Sequence, residues 1–248
     1  MFPLTHVFVA EQVLGQSNEL QTIGAIFPDT ALIFGLNWHH THCLGEELFF
    51  FIKENQPELI PFALGALTHG ANPKGLDYYG DECYGLKKEE RGYCFQKALP
   101  IINEVQKACN LPAKFSWWKA HNFIEMAIEI KLANRSPWLK SQIEASIEKY
   151  GKDELLNTTL NNFYSRYFSD VAFDLSVLHH FITADQINSF SLSKLYSEQL
   201  WYKHQIEGVN KKEVERIIDF SATLVEGDFN SFLTTVIAKI KEMISEYK

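Results

Sequence analysis

The apolar residues of this chain return with the period of a helix. In "KKEVERIIDFSATLVE" the residues Val214, Ile217, Ile218, Ser221 and Val225 recur every three or four positions, the repeat that lines up one helical face. "PELIPFALGALTHGA" does the same with Leu59, Phe62, Ala63, Ala66 and Leu67. Its Pro57 and Pro61 stand where a helix begins and a missing N–H costs little. A third stripe runs through Phe232, Val236, Ile237, Ile240, Met243, Ile244 and Tyr247, with Asp228 or Asn230 as candidate N-cap. Alternation with the period of a strand is nearly absent, and 13 glycines in 248 residues leave few tight turns. The expected fold is all-α, a multi-helix bundle. With no internal repeat, low-complexity tract or linker, residues 1–248 are expected to form a single domain.

Two stretches resist a helical reading, residues 24–45 and 69–85. Both are punctuated by Gly, Pro, Asn and Asp, and both carry histidine. Loops set on a rigid scaffold are where sites concentrate.

A formal charge of −8 excludes a general nucleic-acid binder, which needs a basic face. It leaves room for an enzyme that brings positive charge as metal ions. The N-terminal stretch has no basic region and no long apolar run, and no segment offers the roughly eighteen apolar residues of a membrane span. Cys43, Cys83, Cys94 and Cys109 form no CxxC pair. Free thiols and a cytoplasmic location are therefore expected.

Six histidines lie in the first half, His6, His39, His40, His42, His69 and His121, interspersed with Asp29, Asp77, Asp81 and Glu125. Imidazole with carboxylate is a zinc-type ligand set. In "WWKAHNFIEMAIEIK" His121 and Glu125 stand four apart, so both share one helical face and can reach one ion at roughly 2.0–2.2 Å. A plain His–Glu hydrogen bond explains the same spacing. His42 begins a second HxxxE with Glu46, readable as a small site or as acids at a helix start. His69 ends an apolar helix beside an irregular segment. His179 and His180 read as structural histidines, and His204 as a surface residue near a helix end.

Taken in order, "THVFVAEQVL", "IGAIFPDT", "WHHTH", "FALGALTHGA" and "HNFIEMAIE" resemble the zinc-dependent phospholipase C superfamily, which includes single-strand-specific nucleases. The resemblance covers the first half of the chain; the second half matches only in being helical. It implies an all-α bundle around up to three zinc ions, with His6, Asp29, His42, His69, His121 and Glu125 on ligand positions. His40 is the alternative to His42. The family aspartate four residues after the helix-end histidine is replaced by Pro73, and a further ligand histidine has no counterpart. Asp77 is the first stand-in and Asp81 the second, so one or two Zn2+ ions are expected rather than three.

The implied chemistry is phosphodiester hydrolysis by a metal-activated water, with Asp29 or Asp77 taking its proton. The expected partner is a small-molecule or lipid-headgroup phosphoester. Trp38, Tyr78, Tyr79, Trp117 and Trp118 read as core or as a lining for such a ligand. Two further readings stand beside this one. The first is a non-catalytic relative with at most one structural ion; the second is a helical interaction protein whose His121–Glu125 pair is merely hydrogen-bonded.

Overall fold

The computed structural model describes residues 2–15, 18–81, 91–169, 171–178 and 186–247. Cys83, His179 and His180 lie outside them. The described residues form helices joined by turns, with no strand among them, as the periodicity predicts. None of these helices is long and apolar enough to cross a membrane. The contacts divide the chain into two compact units. One holds residues 6–79, 137–183 and 235–248; the other holds residues 1–5, 80–136 and 184–234.

The first unit is built on α2 (Glu19–Thr30) and α5 (Ile60–His69). Asn18 starts α2 by accepting hydrogen bonds from the Leu20 and Gln21 amides at 2.9 and 3.2 Å. The two helices meet backbone to backbone. A Cβ on Gly24 would fall 2.0 Å from the Phe62 carbonyl oxygen, and one on Gly65 would fall 2.2 Å from that of Gln21. Only glycine permits this approach. Phe27, Phe62, Phe163 and Tyr164 fill the core around it. Residues 24–30, expected to be irregular, belong to α2 despite Pro28. A proline ring crowds the carbonyl four residues earlier, here that of Gly24, and costs a hydrogen bond; the helix continues through it with nine of its twelve residues buried.

The same unit contains α1 (Pro3–Leu14) from His6 onward, α3 (Trp38–His42), α4 (Gly45–Asn55) and α6 (Leu76–Gly80) up to Tyr79. In the second unit, α7 (Tyr93–Ala98), α8 (Ile102–Ala108) and α9 (Ala113–Lys119) precede the central α10 (His121–Arg135). In the first unit, α11 (Trp138–Tyr150) packs on α2, and α12 (Glu154–Tyr164) follows it. In the second, α13 (Ser189–His204) and α14 (Lys211–Val225) complete the packing on α10. The buried face of α14 is Val214, Ile217, Ile218, Ser221 and Val225, the stripe read from sequence. The last helix, α15 (Phe229–Ile244), buries Phe229 and Leu233 besides Val236, Ile240 and Ile244, while Ile237 and Met243 are half-buried.

Candidate metal centre

In the first unit five sequence-predicted residues converge: His6 on α1, Asp29 on α2, His42 on α3, His69 at the end of α5 and Asp77 on α6. Every one but Asp29 is almost closed to solvent. His42 Nε2 lies 3.4 Å from Asp29 and 3.3 Å from Asp77. His69 Nε2 lies 3.2 Å from Asp77 and 3.9 Å from Asp29. His6 Nε2 lies 3.4 Å from Asp77 and 3.7 Å from Asp29. Donors bound at 2.0–2.2 Å around a tetrahedral ion stand about 3.3–3.6 Å apart; Asp29, His42, His69 and Asp77 each offer an atom within 4.8 Å of the others and could hold a cation, while His6 lies against the same carboxylates outside that set.

Local backbone chemistry sets the rings. His69 donates its Nδ1–H to the Ala25 carbonyl at 2.6 Å, a contact that the close α2–α5 approach makes reachable. Asn37 caps α3 by accepting from the His40 amide at 3.0 Å, which fixes where that short helix begins. His42 then lies one turn beyond Trp38, stacks on its indole at 4.7 Å, and donates Nδ1–H to Thr41 Oγ1 at 2.6 Å. The Ala71 and Asn72 amides both donate to the His42 carbonyl. A Cβ on Gly70 would strike that oxygen at 2.7 Å, so glycine lets the segment after His69 lie against α3. In both rings Nδ1–H is engaged and the Nε2 lone pair faces the carboxylates, the second-shell arrangement of metal-ligating histidines.

The buried nitrogens test whether a cation fits. His6 Nδ1 and Nε2, His42 Nε2 and His69 Nε2 are shielded from water and have no hydrogen-bond partner. Leaving such atoms unsatisfied is costly; a divalent cation between His42 Nε2 and His69 Nε2 would satisfy those two while neutralising Asp29 and Asp77, and would leave His6 Nδ1 as it is. Without one, burial pulls the His42 pKa down but the Asp29 and Asp77 carboxylates beside the ring outweigh it, raising it to about 9. Burial and the neighbouring His69 hold His6 well below the ordinary histidine range. His6 and His69 stack with ring centroids 3.5 Å apart and planes 3° from parallel.

His121 and Glu125 gather in the second unit with Asp81, each offering an atom within 4.8 Å of the others. His121 Nε2 stands 3.7 Å from Glu125 Oε1. Here the imidazole is engaged on both sides. Nδ1–H donates to the Trp118 carbonyl, and Asn122 Nδ2 sits 3.2 Å from His121 Nε2 and 3.2 Å from Glu125 Oε2. Tyr196 in turn donates to Asn122 Oδ1 at 3.3 Å. Phe95 stacks on the His121 ring at 4.2 Å, and burial pushes its pKa down to about 4.

The remaining candidates fall elsewhere. His40 points away from the cluster, packing on Phe168 at 4.6 Å and Tyr167 at 5.5 Å. Glu46 is exposed in the first turn of α4 and accepts from Tyr247 at 2.9 Å, so the His42–Glu46 spacing marks a helix start. Sequence reasoning gave no role to Asn122, although its place between His121 and Glu125 in the chain was a signal. Compared with protein-family models, with curated proteins and with solved structures, the chain has no match in any of the three.

Proposed function

We propose that this protein is a metal-dependent hydrolase of phosphoric esters, centred on His6, Asp29, His42, His69 and Asp77. The observation that carries this reading is the paired orientation of His42 and His69. Each spends its Nδ1–H on a fixed oxygen and turns Nε2 toward the same two carboxylates. Such a donor set suits Zn2+ among divalent metals. A cation held there would supply Lewis acidity toward a phosphoryl oxygen and, for zinc, bring the pKa of water down to about 7.

The chain's own residues divide the rest of the work. His42, His69 and Asp77 would hold the ion, and with His6 packed beside them they exclude bulk water. The Asp29 side chain is 39% exposed against 1% for Asp77. Asp29 is therefore the carboxylate suited to take a proton from an attacking water, while Asp77 serves as a ligand. The resemblance to zinc-dependent phospholipases C and single-strand nucleases agrees with a phosphoester of a small molecule or a lipid headgroup as substrate. Free thiols at Cys43, Cys94 and Cys109 fit a reducing compartment such as the cytoplasm.

A second reading, a non-catalytic relative with at most one structural ion, is favoured by Pro73 at the family's aspartate position and by the engaged ring of His121. The test is elemental analysis of chelator-free protein beside turnover of bis(p-nitrophenyl) phosphate by wild type and Asp29→Asn. The hydrolase reading expects stoichiometric metal and a rate that falls about a hundredfold or more in the variant. Metal without turnover favours the second reading. No metal, and no uptake on titration with zinc, contradicts the proposal.

A further inference from the structure

In "HNFIEMAIE" a second carboxylate, Glu129, follows Glu125 by one turn of α10. It is 2% exposed, yet it belongs to neither group of residues placed to hold a metal ion. A buried charge needs partners, and Glu129 finds three at the start of α1. Its Oε1 accepts from the Leu4 amide at 2.7 Å. Its Oε2 accepts from the Thr5 amide at 3.0 Å and from the Thr5 hydroxyl at 2.9 Å. Leu4, Thr5 and Glu129 all lie in the second unit.

The sequence around Pro3 creates the need for these bonds. The first N–H groups of a helix have no partner within it. Pro3 has no N–H and suits the first helical position. The residue before it is Phe2, at the place where Ser, Thr, Asp or Asn would accept from the second and third residues of the helix. A phenyl ring offers no oxygen for this. The second and third residues are Leu4 and Thr5, the two whose amides Glu129 takes, with the Thr5 amide also 3.1 Å from the Phe2 carbonyl. No acidic residue stands in the first turn of α1, so the negative charge that a helix N-terminus favours comes from 125 positions along the chain. His6 is the fourth residue of the same helix. Where α1 begins, and whether its first turn holds, therefore decides where the His6 ring stands. That ring stacks on His69 with centroids 3.5 Å apart and lies 3.4 Å from Asp77.

We infer that Glu129 is a positioning residue, a helix cap supplied to α1 by α10, which holds His6 in place beside Asp77 and His69. Its bearing on zinc rests on the metal centre proposed above; the placement of His6 does not. A side chain that only filled space would be matched by glutamine, which has the same shape. A cap would not, because one carboxylate oxygen becomes an NH2 group facing N–H donors.

The test compares the full chelator-treated chain as wild type, Glu129→Gln, Glu129→Gln with Phe2→Ser, and Thr5→Val, with circular dichroism confirming that each is folded. NMR reads hydrogen exchange at the Leu4 and Thr5 amides and the Overhauser contact between the His6 and His69 rings. In Glu129→Gln the exchange should quicken about fivefold or more, the scale of a lost helix cap, and the ring contact should fade. Phe2→Ser in the same chain should restore both, since a serine there accepts from the same amides. Thr5→Val removes one donor, keeps the carboxylate, and should give a smaller loss of the same kind. Zinc titration of the four proteins should show affinity falling about fivefold in Glu129→Gln and returning with Phe2→Ser. Unchanged exchange with an intact ring contact in Glu129→Gln, or losses that Phe2→Ser leaves unrepaired, overturn the cap. Equal zinc affinity in all four overturns its bearing on the metal centre. A wild type that takes up no zinc, while the ring contact still follows Glu129, removes the metal centre and leaves the placement of His6 standing.

Discussion

The two carboxylate–imidazole clusters use the same residue types to opposite effect. Around Asp29 and Asp77, His42 and His69 each have one nitrogen fixed and the other, buried and without a hydrogen bond, aimed at carboxylate. Around Glu125, the His121 ring is satisfied on both sides, by the Trp118 carbonyl and the Asn122 amide. The first cluster could hold a cation between its two imidazole nitrogens and its two carboxylates. In the second, Asp81, His121 and Glu125 also offer atoms close enough to hold one, but the His121 ring is already engaged and a cation there must first displace Asn122. Residue type and spacing alone therefore do not define a metal site; what the second nitrogen of each imidazole does is the deciding feature.

The largest expected effect separates the clusters directly. Asp77→Asn should weaken zinc binding by more than the roughly 10–100-fold cost of losing an outer-shell partner, because Asp77 faces three imidazoles. Glu125→Gln should leave the tightest zinc site unchanged. Calorimetric zinc titration of both variants checks this, and equal losses would erase the distinction drawn here.

Next comes the scaffold beneath the first cluster. Gly24→Ala drives a Cβ into the Phe62 carbonyl and should cost about 3 kcal/mol, as other overpacked cores do. It should also weaken zinc binding, since the contact of His69 with Ala25 depends on that approach. Gly227→Ala, where an added Cβ meets nothing within 4 Å, should be nearly neutral. Urea denaturation with and without zinc measures both.

Smaller effects of opposite sign are expected from two polar neighbours. Thr41→Val removes the nearer acceptor of His42 Nδ1–H, leaving the Trp38 carbonyl at 3.2 Å, and should lower zinc affinity by up to roughly tenfold. Asn122→Ala removes the amide between His121 and Glu125 and should strengthen a second, weaker zinc event by a few-fold, narrowing the gap between the clusters.

The last comparison is of stability against pH in chelator-treated protein. His42, raised to about 9, contributes stability that is full below its unfolded pKa near 6.5 and lost as pH rises toward 9. His121, lowered to about 4, contributes stability present above 6.5 and lost as pH falls toward 4. A tenfold change in proton affinity is worth about 1.4 kcal/mol, enough to move a melting temperature by a few degrees. His42→Gln should flatten the alkaline flank and His121→Gln the acid flank. Unaltered flanks in the variants would assign the pH dependence to other groups.

Much of this was legible in the chain because helices announce themselves by period. The α14 stripe is buried residue for residue as read. The resemblance ranked Asp77 ahead of Asp81 as the replacement carboxylate, and Asp77 is the one found among His6, His42 and His69. The choice between His40 and His42 was not legible, because it depends on the residue at which a five-residue helix starts, set by the Asn37 cap. The helical course through Pro28 was hidden for a related reason. Local propensity argues against it, and only the α2–α5 contact outweighs that propensity.

The most direct measurement is X-ray absorption at the zinc edge on protein loaded with one equivalent of zinc. A first shell of nitrogen and oxygen at about 2.0–2.2 Å with imidazole scattering and no sulfur is expected, and that signature should be lost in His42→Ala/His69→Ala. A shell containing sulfur at about 2.3 Å, or an imidazole signal that survives the double substitution, would contradict the assignment of the metal centre to this cluster.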